Sequence, residues 1–249
     1  MLGQGTTPAG VETEQQASAW VRGMFGRIAP RYDLLNHLLS MNIDRHWRAR
    51  TVSRVAEILA RPGAQVLDVA CGTGDLTAAL QARGAGARVF GSDFCHPMLQ
   101  AAQGKIANGR WFEADALELP IGGATLDLVT IAFGFRNLTN YRAGLIELRR
   151  VLKPGGTLAI LEFSTPPNAA LARLYGFYSR AILPAIGGMI SGAKDAYRYL
   201  PESVRKFPDA EGLANQMRDA GFANVRFERM TAGIVALHLG DALHLGDRG

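Results

Sequence analysis

A chain of 249 residues can bury a core without disulfide or metal staples, and 48% hydrophobic against 20% charged residues excludes a disordered polymer. The formal charge of +5 comes without any run of five basic residues, so no nucleic-acid partner is expected. Two cysteines, Cys71 and Cys95, build no disulfide framework and sit in no metal-ligand spacing, which points to reduced thiols, a cytoplasmic setting and no metal site.

Residues 1–11 read as a flexible tail, with no basic residue before Arg22 and none of the features of a signal peptide. Ala17, Trp20, Val21, Met24, Phe25 and Ile28 then draw one apolar stripe on a helix. Pro30 breaks it, and RYDLLNHLLSMN reads as a second short helix. Asp44 is the expected N-cap of a helix running to about Ala60, stopped by Arg61-Pro62-Gly63. Residues 1–62 are therefore a helical N-terminal extension to a single domain spanning 1–249.

The texture changes at Gln65–Ala70, a short buried strand followed by the glycine turn CGTG and a helix from Asp75 to about Arg83. Arg88–Ser92 is the next strand and His96–Ala107 the next helix; TLDLVTIAF, Asn140–Leu152 and GGTLAILEF repeat strand, helix, strand. This alternation predicts an α/β, Rossmann-like, mostly parallel sheet with helices on both faces. NVRFERM and GIVALHL are separated only by Thr231-Ala232, which predicts an antiparallel C-terminal hairpin. Residues 165–207, rich in Tyr, Phe, Arg and Lys, read as a helical flap insertion over an aromatic substrate. None of the five histidines has a partner at metal or triad spacing, so all are read as structural.

The binding end of such a sheet lies beyond the strand carboxyl ends, here at Asp68-Val-Ala-Cys-Gly72-Thr73-Gly74-Asp75. Gly72 and Gly74 let the backbone bend and approach a ligand closely. Asp93, at the end of the second strand, suits two ribose hydroxyls, and Asp115-Ala116 suits an adenine. A nicotinamide dinucleotide would want a third glycine and no carboxylate beside its pyrophosphate, whereas this turn continues Asp75-Leu-Thr. S-Adenosylmethionine, with an ammonium and a sulfonium, suits Asp68 and Asp75. In the plainer alternative the turn holds no ligand and Asp75 only starts a helix.

The motifs VLDVACGTGDLT, GSDFCHPML, EADALELP and LKPGG resemble those of class I S-adenosylmethionine-dependent methyltransferases. FGRIAPRYDLLNHLLS, RHWR, IAFGFRNLTN, LEFSTP, AYRYLPESVRKFPD and TAGIVALHLG further resemble one family among them, the quinone-biosynthesis C-methyltransferases. Those enzymes act on demethylmenaquinol and on 2-polyprenyl-6-methoxy-benzoquinol. The resemblance implies S-adenosyl-L-methionine as cofactor, with contacts at Thr73, Asp93, Asp115 and Ala116, and a prenylated quinol as substrate. Ala132 stands where many members have Ser, and Asp44 where many have His. Demethylmenaquinol is the preferred substrate on this reading, with the benzoquinol as alternative and a nicotinamide oxidoreductase as the reading from another class. Arg136, in FGFRN, is the expected electrostatic stabiliser of an ionised quinol, with Asn137 orienting the same oxygen. The alternative for Arg136 is an ion pair with Asp127 or Glu162. A lipid-borne substrate suggests peripheral contact with the inner face of a membrane through the uncharged run Ala181–Ala193, and a homodimer is a further expectation.

Overall fold

The computed structural model describes residues 5–33, 40, 42–177 and 194–243. Its centre is a seven-stranded sheet. The strands are β1 (Gln65–Val69), β2 (Arg88–Asp93), β3 (Arg110–Glu113), β4 (Leu126–Ala132), β5 (Leu152–Phe163), β6 (Phe222–Met230) and β7 (Val235–Ala242). They lie in the order β3-β2-β1-β4-β5-β7-β6. The first five are parallel; β7 runs antiparallel to both β5 and β6, as the short connection, four residues from Thr231 to Ile234, requires.

The helices are α1 (Glu14–Ile28), α2 (Ile43–Arg54), α3 (Ala56–Leu59), α4 (Asp75–Arg83), α5 (His96–Lys105), α6 (Tyr141–Val151), α7 (Ala169–Phe177), α8 (Lys194–Lys206) and α9 (Ala210–Asp219). Strand side chains alternate between faces, and the apolar run of each central strand serves both. Leu67, Val69, Val129, Ile131, Leu158 and Ile160 pack with Leu145 and Leu148 of α6 and Leu213 and Met217 of α9. Val66, Leu128, Ala159 and Leu161 meet Val52, Leu59, Leu76 and Leu80 on the other face. A third cluster joins Val21, Met24 and Ile28 of α1 to Cys95, Met98 and Tyr199, so α1 roofs one end of the sheet. Thr13 and Gln16 start α1 with a reciprocal capping box.

The structure corrects several local readings. Asp44 is not an N-cap: Asn42 takes that position in the left-handed region (φ 60°), and Asp44 lies in the first turn of α2, ion-paired with Arg48. The expected helix to Ala60 breaks at Val55, after Thr51 bonds its hydroxyl back to the Trp47 carbonyl, an arrangement that bends helices. The tail is not loose from residue 5 onward, because Thr6 and Pro8 are buried and the Thr6 amide donates to the Leu138 carbonyl at 2.8 Å. Within the flap, Tyr199 and Phe207 are buried. The run Ala181–Ala193, most of the segment RYDLLNHLLSMN, and His37 and His244 lie outside the described residues. Among the described residues no helix is long and apolar enough to cross a membrane.

Candidate functional site

After β1 the backbone enters the left-handed region at Ala70, Gly72 and Gly74, turning sharply into α4. At Gly74 (φ 84°) an added Cβ would lie 2.8 Å from the Trp111 ring, so both space and backbone demand glycine there. Asp93, at the end of β2, ties this turn down. One carboxylate oxygen accepts the Gly72 amide and the other the Cys95 amide, each at 2.9 Å. A carboxylate offers about four acceptor sites, so acceptor capacity remains for a ligand hydroxyl. Burial pushes the Asp93 carboxyl up to about 6, against the backbone hydrogen bonds that hold it ionised.

Asp93 opens onto a cavity of about 700 Å³ with Gly72, Asp115 and Ala116 in its walls. Phe94 and Met98 make it apolar on one side, Asn137 and Leu138 line another, and Phe25 and Tyr32 roof it from the N-terminal extension. Asp115 accepts the Leu117 amide at 2.9 Å, which fixes its carboxylate at the turn after β3. A second cavity of about 400 Å³ holds Asp68, Thr73, Asp75 and Arg48. The two share Tyr32, Ala70, Gly72, Ala132 and Phe133, so they meet at the glycine turn. Of the cofactor contacts expected from sequence, Asp93, Asp115 and Ala116 line the larger space, Asp68 and Thr73 the smaller, and Gly72 both. Gly74 lines neither; it shapes the turn from below.

The smaller cavity is acidic. Asp68 is buried and accepts hydroxyls from Thr77 at 2.7 Å and Thr130 at 2.8 Å. Burial pushes its carboxyl up to about 6, and the two hydroxyl bonds oppose that rise. Asp75 is held at 2.7 Å by Arg48 and 2.6 Å by Lys105. Lys105 also pairs with Asp33 at 2.7 Å, Asp33 accepts the Thr73 hydroxyl, and Arg48 pairs with Asp44 at 2.6 Å. Asp75 is thus already paired with two cations. Around this end four carboxylates face two cations, which still favours a cationic ligand over a phosphate. Sequence reading missed Tyr32, Asp33, Arg48 and Lys105. RHWR and RYD were visible as motifs, but nothing local says that Lys105 reaches back to Asp33.

At the end of β4, Phe133 adopts φ 56° and Gly134 follows with no room for a side chain, since a Cβ would sit 2.6 Å from that of Ala70. This places the short helical turn Phe135–Asn137 beside the cavity. Asn137 lines it. Arg136 does not; its guanidinium is buried against the Phe163 ring and pairs at 2.8 Å with the buried Glu162, the alternative raised from sequence. Glu162 also accepts the Arg136 and Phe163 amides. The Arg136 Nε is buried with no hydrogen-bond partner among the described residues. His238, on β7, is also buried; burial lowers it to about 4, so it is a neutral core residue far from this chemistry.

Residues 11–242 match the model of the ubiE/COQ5 methyltransferase family. The chain belongs to that family. It is 51% identical over 222 residues to the demethylmenaquinone methyltransferase of Thermus thermophilus, covering 88% of this chain and 99% of that one. The demethylmenaquinone methyltransferase of Deinococcus radiodurans is 44% identical, with 97% and 99% covered. The ubiquinone/menaquinone biosynthesis C-methyltransferase of Syntrophotalea carbinolica is 48% identical, with 88% and 92% covered. Among solved structures, a SAM-dependent methyltransferase of Thermotoga maritima superposes with a TM-score of 0.64 at 18% identity, covering 88% and 98% of the two chains. At that identity the likeness speaks for the fold: the methyltransferase sheet with its reversed final hairpin.

Proposed function

We propose that this member of the family transfers a methyl group from S-adenosylmethionine to a ring carbon of a prenylated quinol, demethylmenaquinol first among them. The observation that carries the reading is the pair of cavities meeting at the glycine turn, with Asp93 anchoring Gly72 beside the larger and Asp68 buried in the smaller. The residues fit the donor: Asp93 would accept from the ribose hydroxyls, Asp115 and Ala116 would hold the base, and the acidic end around Asp68 would take the ammonium and sulfonium. The names of the Thermus, Deinococcus and Syntrophotalea relatives support a quinol as acceptor.

S-Adenosylmethionine, when bound, would supply an electrophilic methyl to the ring carbon and leave as S-adenosylhomocysteine, with the displaced ring proton passing to water. The chain's own task is to keep the quinol electron-rich. A phenolic hydroxyl ionises near pH ~10, so the ring is mostly neutral at pH 7 unless its anion is stabilised. Arg136, fixed by Glu162 and with its Nε buried without a hydrogen-bond partner among the described residues, supplies positive potential behind Asn137, which lines the cavity. Tyr32, Phe25 and Met98 exclude water from the reacting face. A prenylated acceptor would bring the enzyme to a membrane surface, and flotation with anionic and neutral liposomes tests that part.

The deciding assay is methyl transfer from labelled S-adenosylmethionine to reduced demethylmenaquinol and to the reduced polyprenyl-methoxy-benzoquinol, beside calorimetry with S-adenosylmethionine and NADH. Label in the naphthoquinol ring supports the reading. Label only in the benzoquinol changes the substrate. Binding of NADH without binding of the methyl donor overturns the proposal.

A further inference from the structure

Tyr199 stands on α8 in the motif AYRYLPESV, which neither the cofactor site nor the methyl transfer has yet used. It is 6% exposed, and its ring packs on Trp20 with centroids 5.1 Å apart. Its hydroxyl lies 2.7 Å from the Thr6 hydroxyl and 3.0 Å from Asn137 Oδ1. The far end of this chain fixes the direction of every proton in it. The Phe133 carbonyl can only accept; it already takes Arg136 Nη1, and the Asn137 carboxamide lies 3.4 Å from it. The atom facing that carbonyl must therefore be the amide nitrogen, which turns the amide oxygen toward Tyr199. Tyr199 spends its one proton on Asn137 and so accepts from Thr6. The result is a one-way sequence of donors, Thr6 to Tyr199 to Asn137 to Phe133.

Such polarity decides what the cavity sees. With its oxygen engaged, Asn137 keeps one N–H beyond the one given to Phe133. We propose that Tyr199 is a positioning residue that locks the Asn137 carboxamide so that the cavity meets a hydrogen-bond donor, the group an ionised quinol oxygen requires, rather than an acceptor. This rests on the function proposed above. The N-terminal strap belongs to the device. The Thr6 amide is tied to the Leu138 carbonyl at 2.8 Å, and Lys206 of α8 holds the Thr7 carbonyl at 3.0 Å. Gly5 passes so close that a Cβ would fall 2.1 Å from the Thr139 oxygen. Burial pushes the Tyr199 phenol up to about 12, so its proton is present to donate throughout the working range.

The test is a double-mutant cycle in the full chain with reduced quinol. Tyr199→Phe deletes one hydroxyl; it is expected to lower kcat about tenfold while KM for S-adenosylmethionine stays within about twofold. Asn137→Ala is expected to cost at least as much, and adding Tyr199→Phe to it to cost nothing further, since the hydroxyl acts only through that amide. Wild-type kcat in Tyr199→Phe, or losses that multiply in the double variant, would overturn the assignment. A second readout does not depend on turnover. The side-chain nitrogen–proton resonances of Asn137 should move in Tyr199→Phe. If they stay in place, the lock does not exist, whatever the substrate proves to be.

Discussion

Asp68 carries an energetic cost that a single substitution should expose. Its carboxyl is buried and pushed from an ordinary 3.8 up to about 6, with two threonine hydroxyls as its neutral partners. That displacement, at about 1.4 kcal/mol per tenfold change in proton concentration, amounts to about 3 kcal/mol. An acid whose pKa is higher in the folded chain keeps its proton longer there. Between about pH 4 and 6 the unfolded chain binds fewer protons, so stability falls as pH rises through that window, and the full cost stands above it. Asp68→Asn keeps the shape and can bond both hydroxyls without a charge. In urea denaturation followed by circular dichroism, the variant should match the wild type near pH 3.5 and exceed it by about 3 kcal/mol near pH 8. Asp93 shifts in the same direction in both proteins and cancels from the difference. At pH 8 the more stable variant should bind S-adenosylmethionine more weakly, because the acidic end has lost a charge. A stability gap that is the same at both pH values, or a variant less stable at pH 8, would refute the reasoning.

Asp93→Ala should weaken S-adenosylmethionine by about 1.5–3 kcal/mol in calorimetry, the range for hydrogen bonds to a charged group. It should also lower stability in denaturant, since the Gly72 and Cys95 amides lose their acceptor. Arg136→Lys should retain cofactor affinity yet lose about 10²-fold or more in turnover at saturating donor, because a lysine cannot reproduce the planar donor set held by Glu162. Near-normal turnover there would remove Arg136 from the mechanism. Gly74→Ala should destabilise by about 1–3 kcal/mol in urea, the range for forcing a methyl into filled space, here against the Trp111 ring.

The sheet was legible because its strands bury both faces and so read as Val, Leu and Ile runs bounded by glycine, as in VLDVACGTG and TLAILEF. The positions of Asp68, Asp93 and Asp115 followed from one rule, that ligands gather beyond the carboxyl ends of parallel strands. What escaped reading joins residues far apart in sequence. Thr6 meets Tyr199 across 193 positions, and Arg48 meets Asp75 across 27. Asp127 and Glu162 were both open as partners for Arg136; in the fold the guanidinium pairs with Glu162, and Arg136 does not line the cavity. Asp44 misled for a local reason: a carboxylate near a helix start serves either as cap or as ion-pair partner, and Arg48 one turn on settled it.

The order of strands bears on how the chain is made. β7, the final strand, does not sit at an edge; it fills the slot between β5 and β6. During synthesis the described residues that line the larger cavity are all made by Thr139, yet the long margin of β5 stays unpaired until Ala242 is made. β6 has no strand to pair with before then, because its whole ladder is to β7. The nascent chain therefore carries an unpaired strand edge from Phe163 to Ala242, about 80 residues or several seconds of elongation at ~5–20 residues per second, in which self-association or chaperone capture competes with closure.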